Sequence, residues 1–113
     1  MYKYWEFFEN NQSSVLIDKG RLVSKTNNHL NCKLFTQLVT GVDDIFNLPK
    51  ADNMDVGDIL VWGRHGDNPP RHYSVFIGDG QVMEVEAWGE PMRIHSFDDV
   101  SDEYEGDLEI FRP

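Results

Sequence analysis

Helical and alternating spacings of apolar residues succeed one another along this chain. Residues 1–10 are amphipathic and predict a short helix with Tyr4, Phe7 and Phe8 inward. Residues 14–24 (SVLIDKGRLVS) read as two short β runs about an Asp-Lys-Gly turn. The segment TNNHLN at 26–31 is rich in helix-capping residues and leads into CKLFTQLVTGV, where Cys32, Phe35, Val39 and Val42 recur at helical spacing. Asn31 or Asn28 can cap that helix, which puts Cys32 at its first turn.

Beyond a loop at 43–56 the pattern becomes that of strands. GDILVWGR (57–64) reads as a buried strand, and the turn-rich HGDNPP follows it. RHYSVFI (71–77) and QVMEVEA (81–87) form a hairpin about Gly78-Asp79-Gly80, and MRIHSF and LEIFRP supply two further strands. A helix followed by a run of antiparallel strands predicts an α+β domain, with the helix packed on a sheet of about five strands. The length suits one domain spanning 1–113, with 1–27 as its N-terminal segment.

The hairpin can be tested for parity, because side chains alternate across a strand. Tyr73, Val75 and Ile77 share a face with Met83, Val85 and Ala87 only if opposing residue numbers sum to an even value. A three-residue Gly78-Asp79-Gly80 loop does this and sets His72, Ser74 and Phe76 beside Val82, Glu84 and Glu86. A two-residue Asp-Gly turn would place His72 beside Val85 and Ala87 instead. The first arrangement keeps polar and apolar sets apart. His72 then meets a carboxylate, Glu86 directly opposite or Glu84 on the diagonal.

The formal charge of −10 is concentrated: positions 98–109 hold seven acids and no base, and read as a solvated loop. This balance argues against nucleic acid or an anionic membrane as partner. The single cysteine excludes an intramolecular disulfide and a cysteine-rich zinc site. No stretch approaches the ~20 apolar residues of a membrane helix. The residues after Met1 lack a secretory apolar core, so the expected site of synthesis is the cytoplasm, with any delivery to periplasm or cell wall by another route.

One cysteine, one histidine and one carboxylate suffice for a nucleophile. A helix N-terminus favours the thiolate, a histidine takes and returns the proton, and a third polar group on the far ring nitrogen fixes the tautomer.

The residues also carry a resemblance. NCKLFTQLV is similar to the nucleophile helix of the NlpC-type cysteine peptidases, VGDILVWG to their Gly-Asp strand, and RHYSVFIGDGQVMEV to their histidine-bearing strand pair. The closing IFRP resembles their Arg-containing last strand. The order of these pieces, over residues 28–113, resembles that of the CHAP amidases as well. The resemblance implies a papain-like NlpC-type fold and no metal or organic cofactor. It implies Cys32 as nucleophile, His72 as base and acid, and Glu84 as third residue.

The reaction implied is amide hydrolysis in the peptide stems of peptidoglycan. Separately, one bare domain without a visible signal or wall-binding module suits a phage protein or delivered antibacterial effector, which an immunity or inhibitor protein could oppose. The chain departs from the pattern at Lys33, where relatives have a small hydroxyl residue, and at Tyr73 and Ser74, where they have a small apolar pair. Lys33, Trp62 and Trp88 are the expected substrate-side residues, with core packing an alternative for both tryptophans. Tyr2 and Tyr4 are candidates for a tyrosine that some relatives supply from upstream. His29, His65 and His95 are read as peripheral, and Asp58 as a turn hydrogen bonder. The competing reading, from the charge and the altered neighbours of Cys32 and His72, is a catalytically silent domain serving as an acidic interaction or inhibitor module.

Overall fold

The fold is described from a computed structural model that defines the backbone of residues 2–64, 69–104 and 107–113, and side chains from residue 12 onward. His65 and the side chains of Tyr2, Tyr4, Phe7 and Phe8 therefore lie outside the described residues. Two helices come first, α1 (Tyr2–Thr26) and α2 (Cys32–Thr40), then a 3₁₀ turn at Ile45–Asn47. Strands β1 (Ile59–Trp62), β2 (His72–Gly78), β3 (Gln81–Glu84) and β4 (Arg93–Ser96) follow, then helix α3 (Phe97–Glu103) and strand β5 (Leu108–Phe111). The five strands form one antiparallel sheet in the order β4-β3-β2-β1-β5, giving the expected α+β class.

Residues 14–24 are helical and not the expected pair of β runs. Leu16, Ile17 and Val23 pack on the core at helical spacing, while Val15 and Leu22 face solvent at 57% and 61% exposure. Gly20 does not form a turn. It is buried against β3, where an added Cβ would collide with the Met83 thioether, so its missing side chain sets how closely α1 approaches the sheet. Ser13 donates to the Ile77 carbonyl (2.8 Å) and Ser24 accepts from the Met92 N–H (3.0 Å), which fixes the helix along the sheet.

Helix α2 begins at Cys32 because Asn31 caps it, its side chain accepting from the Leu34 N–H at 2.8 Å. Its inward residues Phe35 and Val39 are fully buried and join Leu30, Ile77, Met83 and Val85. Burial of such side chains is worth ~1.5–3 kcal/mol each. The opposite sheet face buries Leu60, Trp62, Phe76 and Val82 against Val100 of α3. Residues 98–103 of the acidic stretch are thus helical where a solvated loop was expected. Ser96 caps it through the Asp99 N–H, and Asp98 and Asp99 in its first turn complement the helix dipole.

The hairpin resolves the parity question in an unexpected way. Val75 pairs with Met83 and Phe76 with Val82, the even-sum register. The connection is nevertheless a two-residue Asp79-Gly80 turn, both residues at positive φ (52° and 68°) as a type I′ turn requires. A bulge between Phe76 and Gly78 supplies the extra residue that restores the register.

Asp58 is buried and bound to Arg112 of the closing segment at 2.8 Å, and it accepts from the Asp55 N–H, in keeping with a hydrogen-bonding role. Among the described residues no helix is long and apolar enough to cross a membrane. Replacing Asn31 by Ala removes the cap of α2 and should cost ~1 kcal/mol, read from the urea midpoint. Asn31→Asp should retain wild-type stability, and equal losses in both variants would reject the capping role.

Candidate active site

Strand register places the first components. Trp62 lies opposite His72 across β1 and β2, and Glu84 opposite Arg93 across β3 and β4. In the even-sum register Glu86 faces His72 and Glu84 sits on its diagonal. The diagonal residue makes the bond: His72 Nε2 and Glu84 Oε1 are 2.9 Å apart. Both side chains are buried, at 1% and 0% exposure. The second carboxylate oxygen of Glu84 accepts from Arg93 Nε at 2.8 Å. Arg93 also reaches Glu86 at 2.8 Å and Glu103 at 3.2 Å.

Helix α2 packs on the other face of the sheet, so Cys32 and His72 approach from opposite sides and meet at the strand end. The two side chains are near enough for each to shift the other's ionisation. With Nε2 held by Glu84, Nδ1 is the ring nitrogen left for the sulfur. The Tyr73 backbone N–H also favours the thiolate. Alternation of an antiparallel ladder explains why it is free to do so. The Phe76 N–H points to β1, where it meets the Asp58 carbonyl, so the odd-numbered N–H groups point to β3. Strand β3 ends at Glu84, short of the position opposite Tyr73. The Lys33 N–H, in the first turn of α2, favours the thiolate as well.

These contacts decide the protonation of the pair. Burial works against the thiolate, but the hydrogen bond and charge of His72, with the Tyr73 and Lys33 amides, outweigh it and hold the Cys32 thiol below its ordinary range. Burial also opposes the imidazolium, yet the bonds to Cys32 and Glu84 push His72 up to about 9. The arrangement favours a thiolate–imidazolium pair at neutral pH, with the thiolate half-buried and open to attack an electrophile.

The structure brings Cys32, His72 and Glu84 together and sets the other candidates around them. Lys33 is exposed beside Cys32. Trp62 is only 1% exposed, so it does not line a cleft. Its indole backs the imidazole (5.8 Å between centroids) and meets Phe97 of α3. Trp88 is 64% exposed and stacks on His29 at 5.6 Å, three residues before the nucleophile. His95 is a half-buried residue of β4 opposite Val82.

On the β1–β5 side of the same sheet end, a concavity of about 470 Å³ is lined by Lys50, Arg64, Asp107 and Glu109. Glu109 accepts both Arg64 hydrogen bonds there (2.7 and 2.8 Å), which hold its carboxyl down at about 2. Sequence reasoning does not single out Arg93 or Tyr104. Arg93 was reachable by extending the register by one strand, whereas nothing local to Tyr104 points to the site. Among the described residues no group of three or more His, Cys, Asp or Glu side chains is arranged to hold a metal ion.

A direct consequence concerns the rate at which iodoacetamide alkylates Cys32. In the wild type its midpoint should fall below the ordinary thiol value. In His72→Ala the midpoint should rise to that value or above it, because burial is then opposed only by the two amides. An unchanged midpoint would show that His72 does not set the thiol's ionisation.

The chain was compared with known proteins. No family model matches the sequence, and no curated protein does. The structure is similar to the crystal structure of the NlpC/p60 domain of the peptidoglycan hydrolase SagA, with a TM-score of 0.54 and 22% identity over 74% of this chain and 77% of that one. The likeness shows the fold: an α+β domain with a five-stranded antiparallel sheet, similar to that NlpC/p60 domain.

Proposed function

We propose that the protein is a cysteine hydrolase that cleaves an amide bond, with peptidoglycan stem peptides as its substrate class. The observation that carries this reading is the buried relay from Glu84 through His72 to a half-buried sulfur at a helix start. In this scheme the Cys32 thiolate attacks the amide carbon and forms the C–S bond, while the Cys32 N–H at the start of α2 stabilises the oxyanion. The His72 imidazolium gives its proton to the leaving nitrogen as the C–N bond breaks. Neutral His72 then takes a proton from water, which attacks the thioester and releases the acid and Cys32. Glu84 holds the ring tautomer and balances its charge.

The substrate class draws on the fold likeness to a peptidoglycan hydrolase domain and on the motif resemblance. Lys33 and the exposed Trp88 would contact substrate at the rim, and Trp62 would act only from behind the histidine. A role as a phage enzyme or antibacterial effector, with an immunity or inhibitor protein as partner, belongs to the same proposal. The silent-domain reading requires an ordinary thiol, which the surroundings of Cys32 do not favour.

Digestion of purified peptidoglycan, with mass spectrometry of the fragments, tests the reading directly. New stem-peptide termini should appear with wild type and be absent with Cys32→Ala. Identical fragment patterns for both proteins would reject the substrate class. The pH profile adds a second check. Since His72 is raised above its ordinary value, its imidazolium persists through neutrality and is lost as pH climbs through about 9. Activity should therefore decline on the alkaline side near that pH, and an alkaline limb near 6.5 would contradict the assignment.

A further inference from the structure

We infer that Tyr104, at the end of α3, is a positioning residue for His72: its ring lies flat on the imidazole, holds the plane in which both ring nitrogens are engaged, and favours the charged form of the ring. This deepens the reading of the Cys32–His72–Glu84 site and rests on it. The two rings are 4.0 Å apart between centroids and 2° from parallel. Trp62 also lies against the imidazole, at 5.8 Å and 36°. An imidazole so enclosed cannot turn about its bond to Cβ without displacing an aromatic ring. Its edge therefore stays directed at Glu84 on one side and Cys32 on the other. A cation over an aromatic face is attracted by the ring quadrupole, and more strongly where water is excluded.

The fold holds Tyr104 in place independently of the histidine. Its N–H donates to the Val100 carbonyl at 3.0 Å, continuing the last turn of α3, and Val100 is fully buried between that helix and the sheet. Neighbouring Glu103 is tied to Arg93 at 3.2 Å, and Arg93 is the residue that holds Glu84. The charged groups facing His72 are Cys32 from α2, Glu84 from β3 and Glu103 from α3, with Arg93 of β4 behind Glu84. Burial and the acids Glu103, Glu84 and Glu86 push the Tyr104 phenol up to about 12, so the ring remains neutral over the working range.

Tyr104→Phe retains the aromatic face, whereas Tyr104→Leu keeps the imidazole covered and removes that face. Alkylation of Cys32 is followed against pH in both variants, with thermal unfolding as a check on the fold. Tyr104→Phe should reproduce the wild-type profile. Tyr104→Leu should raise the midpoint by about 0.5–1 pH unit, about three- to tenfold less thiolate below the midpoint.

A wild-type profile in Tyr104→Leu, or an equal shift in Tyr104→Phe, overturns the inference. Should Tyr104→Leu not fold, Tyr104→Met, which is bulky and lacks a π face, decides by the same criterion. A wild-type protein whose thiol titrates at its ordinary value would sink the site reading itself. A depressed wild-type midpoint left unmoved by Leu or Met removes only the role of Tyr104.

Discussion

The structure at the sheet end depends on one fully buried carboxylate. Glu84 has no access to water, and an ionised carboxylate there is tolerated only with close compensation; losing one partner of a buried pair typically costs about 3–5 kcal/mol. Each oxygen has its own partner: Oε1 meets His72 of β2, and Oε2 meets Arg93 of β4. Three adjacent strands are thereby fixed in register by charge as well as by backbone pairing. A slip of one residue would turn Val85 or Met83 toward both cations and leave Glu84 among the apolar residues under α1 and α2. The same contacts hold the histidine in the orientation that presents its second nitrogen to Cys32.

The bulge in β2 acquires its meaning from this constraint. A tight Asp79-Gly80 turn alone would give odd-sum pairing and put His72 beside Val85. The bulge between Phe76 and Gly78 corrects the count before the strand reaches the site. At the far end of the hairpin, β3 leaves the sheet after Glu84, which leaves the Tyr73 N–H free to favour the thiolate. Register and strand length are therefore part of the site's electrostatics.

That Cys32, His72 and a carboxylate lie together was legible because their surroundings are local in sequence: an Asn cap, a helical period, and a hairpin whose parity leaves Glu84 or Glu86. Between these two only the motif resemblance favours Glu84. Helix α1 was misread because Val15, Ile17 and the Asp18-Lys19-Gly20 step are local β and turn signals. Contact with Met83 and Met92 gives Gly20 a packing role that no local pattern contains. For α3 a signal existed. Ser96 followed by Asp99, with Val100 and Tyr104 one turn apart, is a capped helix pattern that the run of acids obscured. Trp62 could not be assigned to cleft or core from sequence, since its strand is buried on both faces. Tyr104 is brought to His72 only by the placement of α3.

The departures at Lys33 and Tyr73 adjoin the reacting groups and so bear on whether the site functions. Their contacts separate side chain from backbone. Each acts on the thiol through its backbone N–H, a group that every residue except proline provides. The Lys33 side chain is exposed, and the Tyr73 ring packs beside Phe46 (6.3 Å) within the cluster of Ile45, Ile59, Val61 and Phe111. Substitution at these positions thus alters the rim and the packing under α2 while leaving those N–H groups in place. Only a change that moved the backbone, or placed proline at either position, would remove them.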